Sequence, residues 1–168
     1  YNIGANIRYN ILETTSRKYF KVWEMAAFGA FLMGREVAKH MVPRKEGTII
    51  FTGATASIRG KEGFAAFAGA KHAKRALAQS MARELGPKGI HVAHIIIDGA
   101  VDAPDTLGKM LGPEKFQELR ETRGMEHDGL MLPTKIADTY YHLHQQHRSA
   151  WSHEGDMSSF SDLPCWNN

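Results

Sequence analysis

Residues Thr48 to Arg75 read TIIFTGATASIRGKEGFAAFAGAKHAKR. The run Thr48 to Thr52 is β-branched and aromatic, as a strand requires. A loop of Gly, Ala and Ser follows. Small residues and helix formers then run from about Phe64 to Leu85, and Gly86-Pro87 ends that helix. Beyond it, Ile90 to Ile97 (IHVAHIII) is the near-continuous apolar run of a strand buried on both faces. Strand, helix, strand in this order argues for an α/β fold with a parallel, doubly wound sheet.

The same alternation extends outward. Thr14, Thr15 and Ser16 offer N-caps to a helix running to about His40. Phe20, Trp23, Ala27, Ala30, Phe31, Met33 and Val37 recur along it at helical spacing. Pro43 and Gly47 separate it from the strand at 48–52. Downstream, Pro113 starts a helix to about Arg123 and Pro133 another to about Gln146. Trp151 to Met157 is expected as a last short strand, and 158–168 as a polar tail.

Composition narrows the class. Hydrophobic residues make up 43% of the 168 and charged residues 23% with mixed sign, so the body folds around a core. The net charge of +3 is too small to argue for nucleic acid. The single cysteine, Cys165, rules out an internal disulfide framework. No signal-peptide pattern opens the chain, and Lys21, Glu24, Arg35 and Glu36 interrupt its longest apolar helix, so no membrane span is expected. A cytoplasmic location is the expectation.

Several motifs resemble the short-chain dehydrogenase/reductase family. That family carries a strand ending in a catalytic Ser, then Tyr-x-x-x-Lys at the start of a long helix. Here the frame reads Phe67-Ala-Gly-Ala-Lys71, and the Ser position falls on Ala54. Tyr1-Asn2-Ile3-Gly4 is similar to the family's Asn-Asn-Ala-Gly. The helix segment Phe20 to Phe31 resembles the one bearing a catalytic Asn, a position that falls on Ala26. Asp98-Gly99-Ala100-Val101-Asp102-Ala103-Pro104 resembles the Pro-Gly-x-x-x-Thr segment, with Asp98 for Pro and Ala103 for Thr. The resemblance implies a Rossmann-like domain over residues 1–157. It implies a site at Lys71 and a cofactor surface of Asn2, Gly4, Lys71, Asp98, Gly99, Val101 and Ala103.

The chemistry of that family explains why the replacements matter. Hydride transfer to a ketone builds negative charge on oxygen, and a tyrosine hydroxyl supplies the proton. A neighbouring lysine ammonium lowers the phenol from its usual pKa of about 10. A serine hydroxyl orients the substrate oxygen. Of the Asn, Ser, Tyr, Lys set only Lys71 is retained; Phe67 keeps a ring without an acid, and Ala54 and Ala26 offer no polar group. Thr55 and Ser57 lie close enough in sequence to offer a rearranged hydroxyl.

The family's Gly-rich loop, Thr-Gly-x-x-x-Gly-x-Gly, is absent from these residues; Gly60-Lys-Glu-Gly63 follows no strand and reads as a turn. The resemblance places Tyr1 at the end of the family's fourth strand, so the chain is expected to be the C-terminal part of such a domain. NAD or NADP is implied only with an upstream half, and none is expected for this chain alone. The expected role is structural or binding, with the usual Tyr mechanism excluded; the alternative is an NAD(P)-dependent oxidoreductase with a non-standard site. The small residues of helices 16–40 and 64–85 suggest a homo-oligomer through those helices. An upstream segment or partner chain is expected to cover the strand at 48–52.

Other candidates read as surface. His142 and His144 point to different sides of a helix, so no metal site with His147 and His153 is expected. Lys74 and Arg75 share a helical face with Lys71 and read as a solvated face beside it. Glu36 and His40 form a surface pair. Asp98, at a strand end, reads as a turn residue, with a site of its own as the alternative.

Overall fold

The computed structural model describes residues 1–124 and 126–162. The chain forms two compact units: Tyr1–Ile96 with Gln146–Gly155, and Ile97–Gln145 with the described residues from Asp156 onward.

In the first unit, helix α1 spans Ser16–Trp23 and α2 spans Gly29–Arg44. Strand β1 (Gly47–Thr52), helix α3 (Ala65–Leu85) and strand β2 (Ile90–Asp98) follow, and strand β3 is Glu154–Ser158. The sheet order is β1-β2-β3. β1 and β2 run parallel, with Gly47 opposite Ile90 and Thr52 opposite Ile95. The α/β parallel sheet expected from the sequence is therefore present, and β2 is buried along nearly its whole length. One core packs Ile49 and Phe51 of β1 and Ile90 and Val92 of β2 against Ala30, Ala78 and Leu85. Flat alanines on α2 and α3 let both helices approach the sheet closely.

The edge of β1 opposite β2 is taken in part by Tyr1. The Thr52 amide donates to the Tyr1 carbonyl at 3.0 Å, and the Tyr1 amino group donates to the Ile50 carbonyl at 2.6 Å.

The first long helix differs from its sequence expectation in two ways. It continues past His40 through Pro43 to Arg44, and Lys45 in the left-handed conformation (φ 55°) ends it. Pro43 is tolerated because it sits within the last turn, where only one hydrogen bond of the ladder is lost. Between α1 and α2, residues Glu24–Phe28 form a π turn. The N-terminus of α1 matches expectation: the Lys18 amide donates to Thr15 Oγ1 at 3.2 Å.

The second unit contains the short helix α4 (Lys109–Leu111), α5 (Pro113–Arg123) and α6 (Pro133–Gln145), with a π turn at Pro104–Gly108. A parallel bridge joins Val101 to Met131. Among the described residues no helix is long and apolar enough to cross a membrane.

Candidate functional site

Helix α3 presents Phe67, Lys71 and Lys74 at i, i+4 and i+7, on one face. Lys71 is 5% exposed, and its ammonium donates to the Thr52 carbonyl at the end of β1, 3.2 Å away. Its Nζ lies 5.3 Å from the centre of the Phe67 ring. The backbone of Gly4 rests against both: a Cβ there would lie 3.6 Å from Lys71 Nζ and 3.9 Å from the Phe67 ring. Asn2 and Gly4 themselves are exposed.

Beside Lys71 the surroundings are apolar. Ala26, Phe67, Val22, Ala66 and Ala70 are buried in one cluster, and Ala54, Ala5, Ile7, Ala56 and Phe64 pack against it. The structure thus gathers Ala26, Ala54 and Phe67 into one hydrophobic contact, with Lys71 at its border. Ser57 does not supply a substitute hydroxyl. It is fully buried, and its Oγ accepts the Ala54 amide at 3.1 Å, closing the short turn Thr55–Ser57. Its hydroxyl is used locally, as short polar side chains do in turns.

Ala26 lies inside the π turn, which no local sequence signal marks. A π turn interrupts the regular carbonyl ladder of the helix. The Met25 carbonyl accepts the Tyr1 hydroxyl at 2.5 Å. Gly29 makes the approach possible, because a Cβ there would collide with that hydroxyl. The Tyr1 side chain thereby fixes the helix at the position of Ala26.

Lys74 and Arg75 overturn the expectation of a solvated face. Lys74 is fully buried; its Nζ reaches the Ile3 carbonyl at 3.4 Å and stands 5.5 Å from the centre of the Tyr1 ring. Desolvation and the neighbouring Lys71 charge lower its pKa to about 7. Desolvation also lowers Lys71, opposed by a hydrogen bond to Lys74. No carboxylate among the described residues pairs with either lysine. Arg75 is half-buried and binds Glu154 through both Nε and Nη2, at 2.7 and 2.6 Å. Spacing alone put all three cations on one helical side; the sheet and the Tyr1–Gly4 segment bury that side.

Glu154 also accepts from His94 Nδ1 at 2.9 Å. His94 is fully buried, and its Nε2 has no partner. That nitrogen faces the Gly53 backbone, where a Cβ would stand 2.6 Å away. A second proton on His94 would be buried without an acceptor, and desolvation lowers its pKa to about 4. Arg75, first of all, holds the Glu154 carboxyl below its usual range. Sequence reading passed over His94 and Glu154, although two histidines inside an otherwise apolar strand were a usable signal. Buried polar groups need partners: Glu154 of β3 supplies one to His94 Nδ1, and the Ser152 carbonyl just before it supplies one to His91 Nε2.

The remaining candidates separate. In the second unit Asp98 is buried at the end of β2, and Asp102 accepts from Arg120 Nε at 2.7 Å. Val101 pairs with Met131, Gly99 lies between them and Asp98 in sequence, and Ala103 leads into the π turn at 104–108. His142, His144 and His147 are exposed, whereas His153 donates from Nδ1 to the Val92 carbonyl at 3.0 Å. Among the described residues no group of three His, Cys, Asp or Glu is placed to hold a metal ion. Glu36 engages Lys39 and Arg35, rather than His40. Cys165 lies outside the described residues.

The segment that carries β1, the Lys71 helix and β2 lies within residues 1–108, which match the family model described as short chain dehydrogenase. The chain belongs to the short-chain dehydrogenase family. A crystal structure of a short-chain dehydrogenase from Rhodopseudomonas palustris is 46% identical, with a TM-score of 0.71 over 93% of this chain and 58% of that one. Secoisolariciresinol dehydrogenase of Forsythia intermedia is 32% identical over 111 residues, 66% of this chain and 39% of that protein. A 4-hydroxyisoleucine dehydrogenase solved with NADH, 22% identical, shares the fold at a TM-score of 0.75 over 92% of this chain and 63% of that one. The chain therefore spans less than two thirds of each of these dehydrogenases.

Proposed function

We propose that this chain is part of a short-chain dehydrogenase-fold protein whose carbonyl-protonating hydroxyls have been replaced by apolar packing, and that it serves a structural or binding role. The carrying observation is the single cluster of Ala26, Ala54 and Phe67 beside Lys71. A group that protonates a substrate oxygen must lie within about 2.6–3.2 Å of it. None of those three side chains has a proton to give. In this reading Lys71 persists as a cation beside a pocket for NAD or NADP, completed by an upstream half. Asn2, Gly4, Asp98, Gly99, Val101 and Ala103 belong to the cofactor surface by family resemblance alone.

The second reading is an NAD(P)-dependent oxidoreductase with a non-standard site. One observation favours it: Lys71 survives next to a second buried amine, Lys74. The two readings differ in turnover, and a hydride-transfer assay of the protein with its cofactor-binding half present separates them.

The structural role includes assembly. On α1, the π turn and α2, the rings of Phe20, Trp23, Phe28 and Phe31 stack in succession, each pair 6.1 Å apart. All four are partly exposed, Phe20 at 59%. Together with accessible small residues of α3 such as Ala73 and Ala76, they are suited to receive a second copy of the chain. The protein is expected to be a dimer or larger by light scattering. Ala73→Glu, on α3, should shift it toward monomer at least about tenfold in dissociation constant, since a buried unpaired charge costs more than 1.4 kcal/mol. Gln117→Glu, on α5, should leave it unchanged. A monodisperse monomer at micromolar concentration would overturn the assembly.

A further inference from the structure

Lys71 and Lys74 are the two buried amines of the site, one helical turn apart on α3. Burying one ammonium is costly, and burying two side by side without a carboxylate is more so. The arrangement around them suggests how the conflict is resolved. Lys71 donates to the Thr52 carbonyl at 3.2 Å, and Lys74 donates to the Ile3 carbonyl at 3.4 Å. Ile3 and Gly4 are consecutive, so both amines meet the same stretch of backbone: Lys74 reaches the Ile3 carbonyl, and a Cβ on Gly4 would stand 3.6 Å from Lys71 Nζ. An ammonium has donors only, so the two amines can hydrogen-bond each other only when one is neutral and offers its lone pair. The more deeply buried of the two, Lys74, is the natural acceptor.

We propose that Lys74 is a positioning residue for Lys71: uncharged, its lone pair accepts a hydrogen bond from the Lys71 ammonium and holds that ammonium toward Thr52 and Gly4; charged, it repels it. The position of the one cation left in the site would then follow the protonation of its neighbour. The inference rests on the reading of Lys71 as the retained site cation.

The groups around the pair fit this assignment. On α3 itself, Arg75 is committed to Glu154 of β3 through two hydrogen bonds. On β2, His94 is tied to the same carboxylate and feels the Lys74 charge. From the first segment come the Tyr1 ring, 5.5 Å from Lys74 Nζ, and the Ile3 carbonyl. β1 contributes a carbonyl, that of Thr52. The single carboxylate of the cluster is already shared between an arginine and a histidine. No group remains to neutralise a second lysine charge, so the amine sheds its proton.

The test is an NMR titration of protein labelled with ¹⁵N at the lysine side chains, between pH 5 and 11. It needs neither cofactor nor turnover, so its outcome is independent of any activity. Lys74 should titrate with a midpoint near 7, as its burial beside Lys71 requires. The Lys71 signal should show a step at that same midpoint. Lys74→Met, which keeps length and removes the amine, should abolish the step in Lys71. Lys71→Met should move the Lys74 midpoint upward, because the like charge is gone while the burial remains. A Lys74 midpoint near that of an exposed lysine would overturn the proposal. So would a Lys71 signal with the same step in the Lys74→Met variant, since a merely structural side chain would leave it in place.

Discussion

Lys74→Met should make the protein more stable at pH 6–7, by about 2–4 kcal/mol, and the advantage should fade as pH rises toward 10. Lys74 is fully buried, and its pKa stands at about 7 against the ordinary 10.5. Between those values the unfolded chain holds a proton there that the folded chain has released. Stability therefore rises with pH across this window. Below pH 7 both states carry the proton and the full penalty for burying it is present. The window from 7 to 10.5 bounds the effect at about 5 kcal/mol. Part of this is returned when the lost Ile3 and Lys71 hydrogen bonds are counted. Urea unfolding of both proteins at pH 6, 7.5 and 9 would measure the difference directly. A variant less stable than the parent at pH 6 would contradict the burial of an unpaired charge.

Phe67→Ala should destabilise the protein by about 3–4 kcal/mol, the usual cost of removing a buried aromatic ring. Phe67 is 9% exposed and is the one aromatic ring among the buried members of its cluster, the others being Val22, Ala26, Ala66 and Ala70. Alanines have no side chain to swing into the space, so the cavity stays open. A loss below about 1 kcal/mol in thermal or urea unfolding would mean that the ring is not packed as described. A large loss here identifies position 67 as a packing position, which is how the site is interpreted.

Much of the fold was legible because its signals are local. The runs Thr48–Thr52 and Ile90–Ile97 are β-branched, Gly86-Pro87 marks the end of α3, and Thr15 caps α1 as its side chain allows. Lys71 and the apolar identity of Ala26, Ala54 and Phe67 were equally legible, since each follows from one residue in one frame. What was hidden is non-local. The π turn at Glu24–Phe28 depends on a tyrosine hydroxyl reaching Met25 from the other end of a long segment. Lys74 looked solvated because periodicity gives a side of the helix without saying what covers it; Ile3 and Tyr1 cover it. The Arg75–Glu154–His94 contact joins residues about 60 and 79 positions apart, and no spacing rule reaches that far.

The stacked rings on α1 and α2 and the alanines of α3 bear on the same account. On the proposed reading, with Ala26, Ala54 and Phe67 packed as one apolar cluster, the exposed aromatic face is the feature through which the chain would assemble.

The most direct test of the central claim is a hydride-transfer assay. The protein with its cofactor-binding half present would be given NADH or NADPH with a panel of ketones and sugars, and oxidation of the cofactor followed. Loss of the hydroxyls at 54 and 67 predicts no oxidation above the rate without protein. Turnover with any carbonyl substrate at or above about 1 per second, an ordinary enzyme rate, would contradict it.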